Sequence, residues 1–299
     1  MPAVSVWNKC NNRCIMCTNG KEYSEGPSDQ YVLRKQIEKM ERYLKGNRGI
    51  FYKGAEDPRY ITLTGGEPTL HPDFMKLLRY YRKRCPDLEI TLLTNGRTFA
   101  DETFLKQYLS IIRTPARTII PLHSSDPDEH DYIAGVKGAF NQTIKALKSL
   151  FRFAPPGHSI GIRYIQHGTG KLRMEKTLKF LLENFPNTFA YTVAIIHFEI
   201  EGSSLENEKK LHISLKDSAK EVLAAKPLIE KFPCLYLYHY PLCVLEPSLR
   251  CRAKITLPEE ERVYPEEKCG QCCRRQDCVG LMIDYNRLFG SSELETIKQ

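Results

Sequence analysis

Cys10-Asn-Asn-Arg-Cys14-Ile-Met-Cys17 sets three thiols on one short stretch, directly after the apolar run Val4 to Trp7. Three thiolates on a tight loop can hold three irons of a cubane and leave the fourth iron open to a ligand. Structural zinc is the competing use of such a loop. It closes its tetrahedron with a fourth Cys or His, and the nearest histidine in sequence is His71. The missing fourth ligand favours the cluster.

A second cysteine group lies near the other end: Cys243, Cys251, Cys269, Cys272, Cys273 and Cys278. Cys269-x2-Cys272 with Cys278 close behind is a compact metal loop, and zinc on four cysteines fits its spacing as well as a cluster does. Cys85 and Cys234 stand alone and read as small buried apolar residues. Eleven cysteines in 299 residues, grouped in this way, point to metal or catalysis rather than to a disulfide framework.

Elements must position these groups. Val4–Trp7 reads as a strand feeding the first loop. Ser28 or Asp29 can cap a helix to about Lys45, with Leu33, Ile37, Met40 and Leu44 on one face. Residues 46–58 read as a loop or insertion. Strands then follow at Tyr60–Leu63, Leu88–Leu93, Thr118–Leu122, Ile160–Ile165 and Phe189–Ile196. Helices alternate with them at Pro72–Arg84, Asp101–Ile112, Phe140–Phe153, Leu172–Asn184 and Ser214–Lys231. Such alternation predicts a parallel sheet with right-handed connections. Six units predict an α/β fold, a partial (β/α)6 TIM-like barrel with its chemistry at the C-terminal strand ends. Near residue 240 the alternation stops. The predicted domains are a barrel core over 1–239 and a small cysteine-rich C-terminal extension over 240–299, with a further short strand at Cys234–His239 just before the boundary.

Polar groups stand where those strands end. The second strand runs into Thr64-Gly65-Gly66-Glu67-Pro68. Paired glycines let backbone approach a ligand closely, and a neighbouring carboxylate can accept from an ammonium group. Asn95 follows the third strand and Ser124 the fourth. Arg163 lies on the fifth, and its fork of donors suits a carboxylate. Each of these alone suits a cap or a turn equally well. His197 ends the sixth strand, facing either substrate or core. Asp131, Tyr132 and Gly135, after strand four, line a pocket or only shape a loop.

Composition narrows the class. The formal charge is +8, from 44 basic and 36 acidic residues. The densest basic group, Arg79 to Arg84, falls on a predicted helix and reads as a solvated face. Nucleic-acid binding is not indicated. No apolar run is long enough for a membrane span and no signal peptide is visible, so the expected location is cytoplasmic.

The cysteine loop and Gly65-Gly66-Glu67-Pro68 together resemble the radical S-adenosylmethionine (SAM) superfamily. The resemblance implies a [4Fe-4S] cluster on Cys10, Cys14 and Cys17 that reduces SAM to methionine and a 5′-deoxyadenosyl radical. It implies that Gly65, Gly66, Glu67 and Pro68 bind the methionyl amino group. Asn95, Ser124 and Arg163 would serve its ribose and carboxylate. Met16 stands where many members carry an aromatic residue.

Pro241-Leu242-Cys243-Val244-Leu245, the Cys269 to Gly280 stretch, Thr94-Asn95-Gly96-Arg97, Ile120-Pro121-Leu122, His130-Asp131-Tyr132 and Gly138-Ala139-Phe140 carry a closer resemblance. They are similar to the C-type radical SAM maturases of the His-Xaa-Ser peptide system, over about residues 5 to 280. This implies an auxiliary Fe–S cluster on Cys243, Cys269, Cys272 and Cys278, with Cys251 and Cys273 as alternates or unliganded. It also implies a ribosomally made peptide as substrate, post-translational modification as outcome and an external one-electron reductant. The first strand starts almost at residue 1, so leader binding is expected from a partner maturase, a small leader-binding protein or the tail. The alternatives are a radical SAM enzyme acting on a nucleotide, RNA or small metabolite, and a non-enzymatic zinc protein that binds nucleic acid.

Overall fold

A computed structural model of the chain describes residues 3–46, 60–170 and 173–298. The loop expected at 46–58 lies, apart from Gly46, outside the described residues. Strand order follows chain order in one sheet, β1 (Ala3–Trp7), β2 (Tyr60–Gly65), β3 (Glu89–Leu93), β4 (Ala116–Pro121), β5 (His158–Gln166), β6 (Tyr191–His197), β7 (Leu235–Tyr238) and β8 (Ala253–Lys254). This is the α/β architecture that the alternation predicts, with the further strand expected at Cys234–His239 present as β7 and one unexpected strand, β8, beyond it. The chain forms two compact units: residues 1–14, 19–121 and 130–161, and residues 15–18, 122–129 and 162–299.

In the first unit β1 to β4 pair in parallel, with Val4 opposite Leu63, Ile61 opposite Ile90 and Leu92 opposite Thr118. The interior residues of β2 and β3 are buried on both faces, as parallel strands covered by helices must be. β1 instead alternates, burying Val4 and Val6 only. The helix Glu102–Ile112 starts where Asp101 Oδ1 accepts from Thr103 N at 2.8 Å, which meets one orphan donor of its first turn. The expected helix from Ser28 begins later, at Leu33, because Asp29–Tyr31 winds as a 3-10 turn. Ser28 Oγ donates to Asn8 Oδ1 (2.8 Å) instead of capping the helix.

Arg82 departs from the solvated face expected of the basic group. It is buried, and its guanidinium donates to the carbonyls of Ile112 (2.6 Å), Pro86 (2.8 Å), Leu88 (2.9 Å) and Pro115 (2.9 Å). One fixed fork of donors thus closes several loop carbonyls at the N-terminal ends of β3 and β4. Cys85 and Cys234 are half-buried rather than fully buried.

In the second unit β6, β7 and β8 are parallel, with Ile195 opposite Leu237 and Leu237 opposite Ala253. Phe189, expected to start β6, is 83% exposed in a 3-10 turn, and the strand begins at Tyr191. The tail adds a short antiparallel pair, Arg262–Val263 with Leu281–Met282, and the helix Ile283–Phe289. Tyr285 and Glu293 tie this tail to the helix Leu215–Ala224: Leu215 N donates to the Tyr285 hydroxyl (3.1 Å) and Lys216 N to Glu293 (2.8 Å). No described helix is long and apolar enough to cross a membrane.

Candidate functional site

The first unit builds its site from β1 outward. Gly66 N donates to Trp7 O (2.7 Å) and Glu67 N to Lys9 O (2.8 Å), so the end of β2 is clamped to the start of the cysteine loop. Two glycines are required here. A Cβ on Gly65, at φ +133°, would sit 2.2 Å from Trp7 O, and one on Gly66 would sit 2.5 Å from Lys9 O. Both obstacles are backbone and cannot move aside.

Glu67 is fully buried. Its Oε1 accepts from Thr69 N (3.0 Å), Thr69 Oγ1 (2.6 Å) and Thr94 Oγ1 (2.7 Å), and its Oε2 accepts from Asn95 N (2.7 Å). Burial pushes its carboxyl up while these donors pull it down, and burial is the larger effect. The carboxylate is therefore a brace between the ends of β2 and β3. Pro68 opens the short 3-10 turn beside it.

Asn95 passes that brace to the cysteine loop. Its Nδ2 donates to Asn11 Oδ1 (2.7 Å) and approaches Cys10 Sγ (3.8 Å). Arg97, one turn on, donates to Asn11 O and to Asn12 Oδ1 (2.8 Å). Asn12 in turn directs its N toward Cys10 Sγ (3.4 Å) and its Nδ2 toward Cys14 Sγ (3.8 Å). Donors aimed at sulfur offset thiolate charge and tune a cluster's potential, so this donor set fits a cluster on the loop. On the loop's other side Arg13 N donates to Ala134 O (2.9 Å), and a Cβ on Gly135 would lie 2.4 Å from Arg13 O. Gly135 backs the loop. Asp131 shapes it, accepting from Gly138 N and Phe140 N (2.7 Å) at the start of the helix Ala139–Phe153. Asn12 lies within the cysteine motif and Arg97 within Thr94-Asn95-Gly96-Arg97, but their contacts with each other and with the sulfurs depend on the folded loop.

Cys17 belongs to the second unit, where its carbonyl accepts from Ser204 N (3.1 Å) and that of Ile15 accepts from Asn207 Nδ2 (3.0 Å). Ser124 there is buried. Its hydroxyl donates to Glu129 Oε2 (2.5 Å) and accepts from Asp126 N (3.0 Å). Beside it Arg173, absent from the sequence expectation, is buried over the Tyr164 ring (4.6 Å) and donates to Ile165 O (2.9 Å) and to His123 O.

Arg163 is half-buried, with Glu199 and Tyr238 in electrostatic reach; burial lowers its pKa, and Glu199 first and then Tyr238 oppose the shift. Glu199 also meets His239, one residue past β7, at 3.5 Å. His197 is core. It is fully buried against Phe198, Tyr240 and Tyr285, and burial holds its ring down to about 3.

Cys243, Cys269, Cys272 and Cys278 line one small pocket, together with Leu242 and Tyr264. Burial raises Cys269 to about 11, helped by Cys278, Cys243 and Cys272. Leu242 N donates to Cys278 Sγ at 3.4 Å. The side chains of Cys251 and Cys273 are exposed and outside this lining. Among the described residues no three His, Cys, Asp or Glu side chains stand close enough to share a single metal ion.

The sequence model of the Radical SAM superfamily matches residues 4–181. GTP 3′,8-cyclases are similar over part of the chain: that of Aquifex aeolicus is 34% identical over 131 residues, 42% of this chain and 36% of the cyclase. That of Nautilia profundicola is 32% identical over 149 residues, 48% of this chain and 41% of the cyclase. The chain thus spans well under half the length of these relatives. The fold resembles Streptococcus suis SuiB bound to precursor peptide SuiA, with TM-score 0.56 at 15% identity over 78% of this chain and 47% of that one. It also resembles methylornithine synthase, with TM-score 0.54 at 16% identity over 86% and 72%. With its family model covering more than half of the residues, the chain belongs to the radical SAM superfamily.

Proposed function

We propose that the chain cleaves SAM reductively and modifies a ribosomally made peptide by hydrogen abstraction. Cys10, Cys14 and Cys17 would hold a [4Fe-4S] cluster, which would supply the electron that splits bound SAM into methionine and a 5′-deoxyadenosyl radical. The chain's own part is to hold and orient. Asn12 and Asn95 direct donors at the loop's sulfurs, and Gly65 and Gly66 leave bare backbone beside it. Glu67 fixes both by bracing the strand ends.

The observation that carries the peptide reading is the four-cysteine pocket. Four thiols lining one pocket would hold an auxiliary Fe–S cluster, whose chemistry would be to accept an electron. The maturases that this tail resembles pair such an extension with a peptide substrate. A partner maturase or leader-binding protein and an external reductant complete the proposal.

The cyclase matches favour a second reading, a nucleotide substrate, over the part of the chain they cover. Mass spectrometry separates the two. Short peptides encoded beside the gene are co-expressed with this protein, and GTP is offered to it separately under reducing conditions. The expected result is a mass change in one peptide with GTP unaltered. Unchanged peptides with GTP consumed would replace this reading with the nucleotide one.

A further inference from the structure

Three neighbouring strands contribute to one charged constellation within the second unit, Arg163 lying three residues before the end of its strand. Arg163 comes from β5, Glu199 from just past β6 and His239 from just past β7. His239 is a non-glycine residue at φ +67°. That conformation is unfavourable for an L-residue and persists only where its surroundings hold it. Its ring is buried, with Nδ1 3.2 Å from the carbonyl oxygen of His197 and Nε2 3.5 Å from Glu199 Oε1.

Both neighbours are acceptors. A neutral imidazole carries one N–H and one lone pair. Either tautomer therefore sets a lone pair against an oxygen in a buried place. Only the doubly protonated ring satisfies both sides. Burial is the largest influence against that charge and Arg163 adds to it, while Glu199 and the His197 carbonyl favour it. The groups facing the pair are Arg163 on β5, Tyr238 on β7, His197 at the end of β6, and Glu201 and Glu261, whose carboxyls are raised first by burial and then by Glu199. A neutral ring held in this setting gains a hydrogen bond by taking up a proton. Glu199 is the half-open member, with 38% of its side chain exposed against 4% for His239.

We propose that Glu199 is the catalytic proton acceptor of the substrate site and that His239 is its positioning residue and final proton store. The step is a proton transfer alone. An X–H bond of the substrate breaks, its electron pair stays on X, and the proton passes through a Glu199 oxygen to His239 Nε2. The substrate class is one with an acidic heteroatom–hydrogen bond next to the carbon that loses hydrogen. The assignment rests on the proposed function only in taking the C-terminal ends of β5, β6 and β7 as the substrate's side.

The test is a pH titration of the full chain, carrying its metal and labelled with 13C at histidine Cε1, followed by NMR. His239→Gln identifies the resonance. Glu199→Gln is expected to lower the proton affinity of His239 about tenfold, one pKa unit, and Arg163→Gln to raise it. If Glu199→Gln does not fold, the rise in Arg163→Gln still reports the coupling. A His239 titration that neither substitution moves overturns the proposal. The titration needs no SAM turnover, so it fails separately from the proposed radical chemistry, which SAM cleavage by the wild-type chain tests.

Discussion

Replacing Cys14 with alanine is expected to abolish 5′-deoxyadenosine formation from SAM. Three thiolates are the least that the loop can offer a cubane with an open iron, and two leave it short of a ligand. Cys14 is half-buried, and its sulfur meets the amide of Asn12 at 3.8 Å, so its loss removes a ligand and little packing. The variant should fold and lose about four irons per chain, while a cluster on Cys243, Cys269, Cys272 and Cys278 would remain. Iron assay and mass spectrometry of the nucleoside product read both effects. Persistent 5′-deoxyadenosine in Cys14→Ala would refute the assigned role of the loop.

The second large effect is on stability. Glu67→Ala removes one buried acceptor from four donors, two of them backbone N–H groups that cannot rotate away. Leaving buried donors unpaired costs about 1–3 kcal/mol each, so the loss should be roughly 3–5 kcal/mol, a large share of the 5–15 kcal/mol typical of folded proteins. Thermal unfolding followed by circular dichroism should fall by about 10 °C. A shift within about 2 °C would show that the carboxylate is not the brace between β2 and β3.

Much of this was legible in the residues. Period and length separated strands such as Tyr60–Gly65 from helices such as Phe74–Arg84, because apolar positions recur differently in each. The cysteine loop and Gly65-Gly66 were legible because tight loops and bare backbone need those residue types. What escaped depends on contacts distant in sequence. The role of Glu67 is set by Thr94 and Asn95, which only strand pairing brings near. Glu199 and His239 meet because β6 and β7 are neighbours in the sheet. The apolar face of the helix Pro127–Ala134 is too short to show a helical period, and two-residue strands such as Leu281–Met282 carry no period at all. Arg82 shows the opposite error: a residue type common on surfaces was drawn inward by carbonyls of two separate connections, those leading into β3 and β4.

The central claim is reductive SAM cleavage on the loop of Cys10, Cys14 and Cys17. The direct measurement is on wild-type protein purified without oxygen, assayed for iron, sulfide and zinc, then reduced and mixed with SAM. The account predicts 5′-deoxyadenosine together with about eight irons per chain, four at each cysteine group. Stoichiometric zinc with no 5′-deoxyadenosine would contradict it.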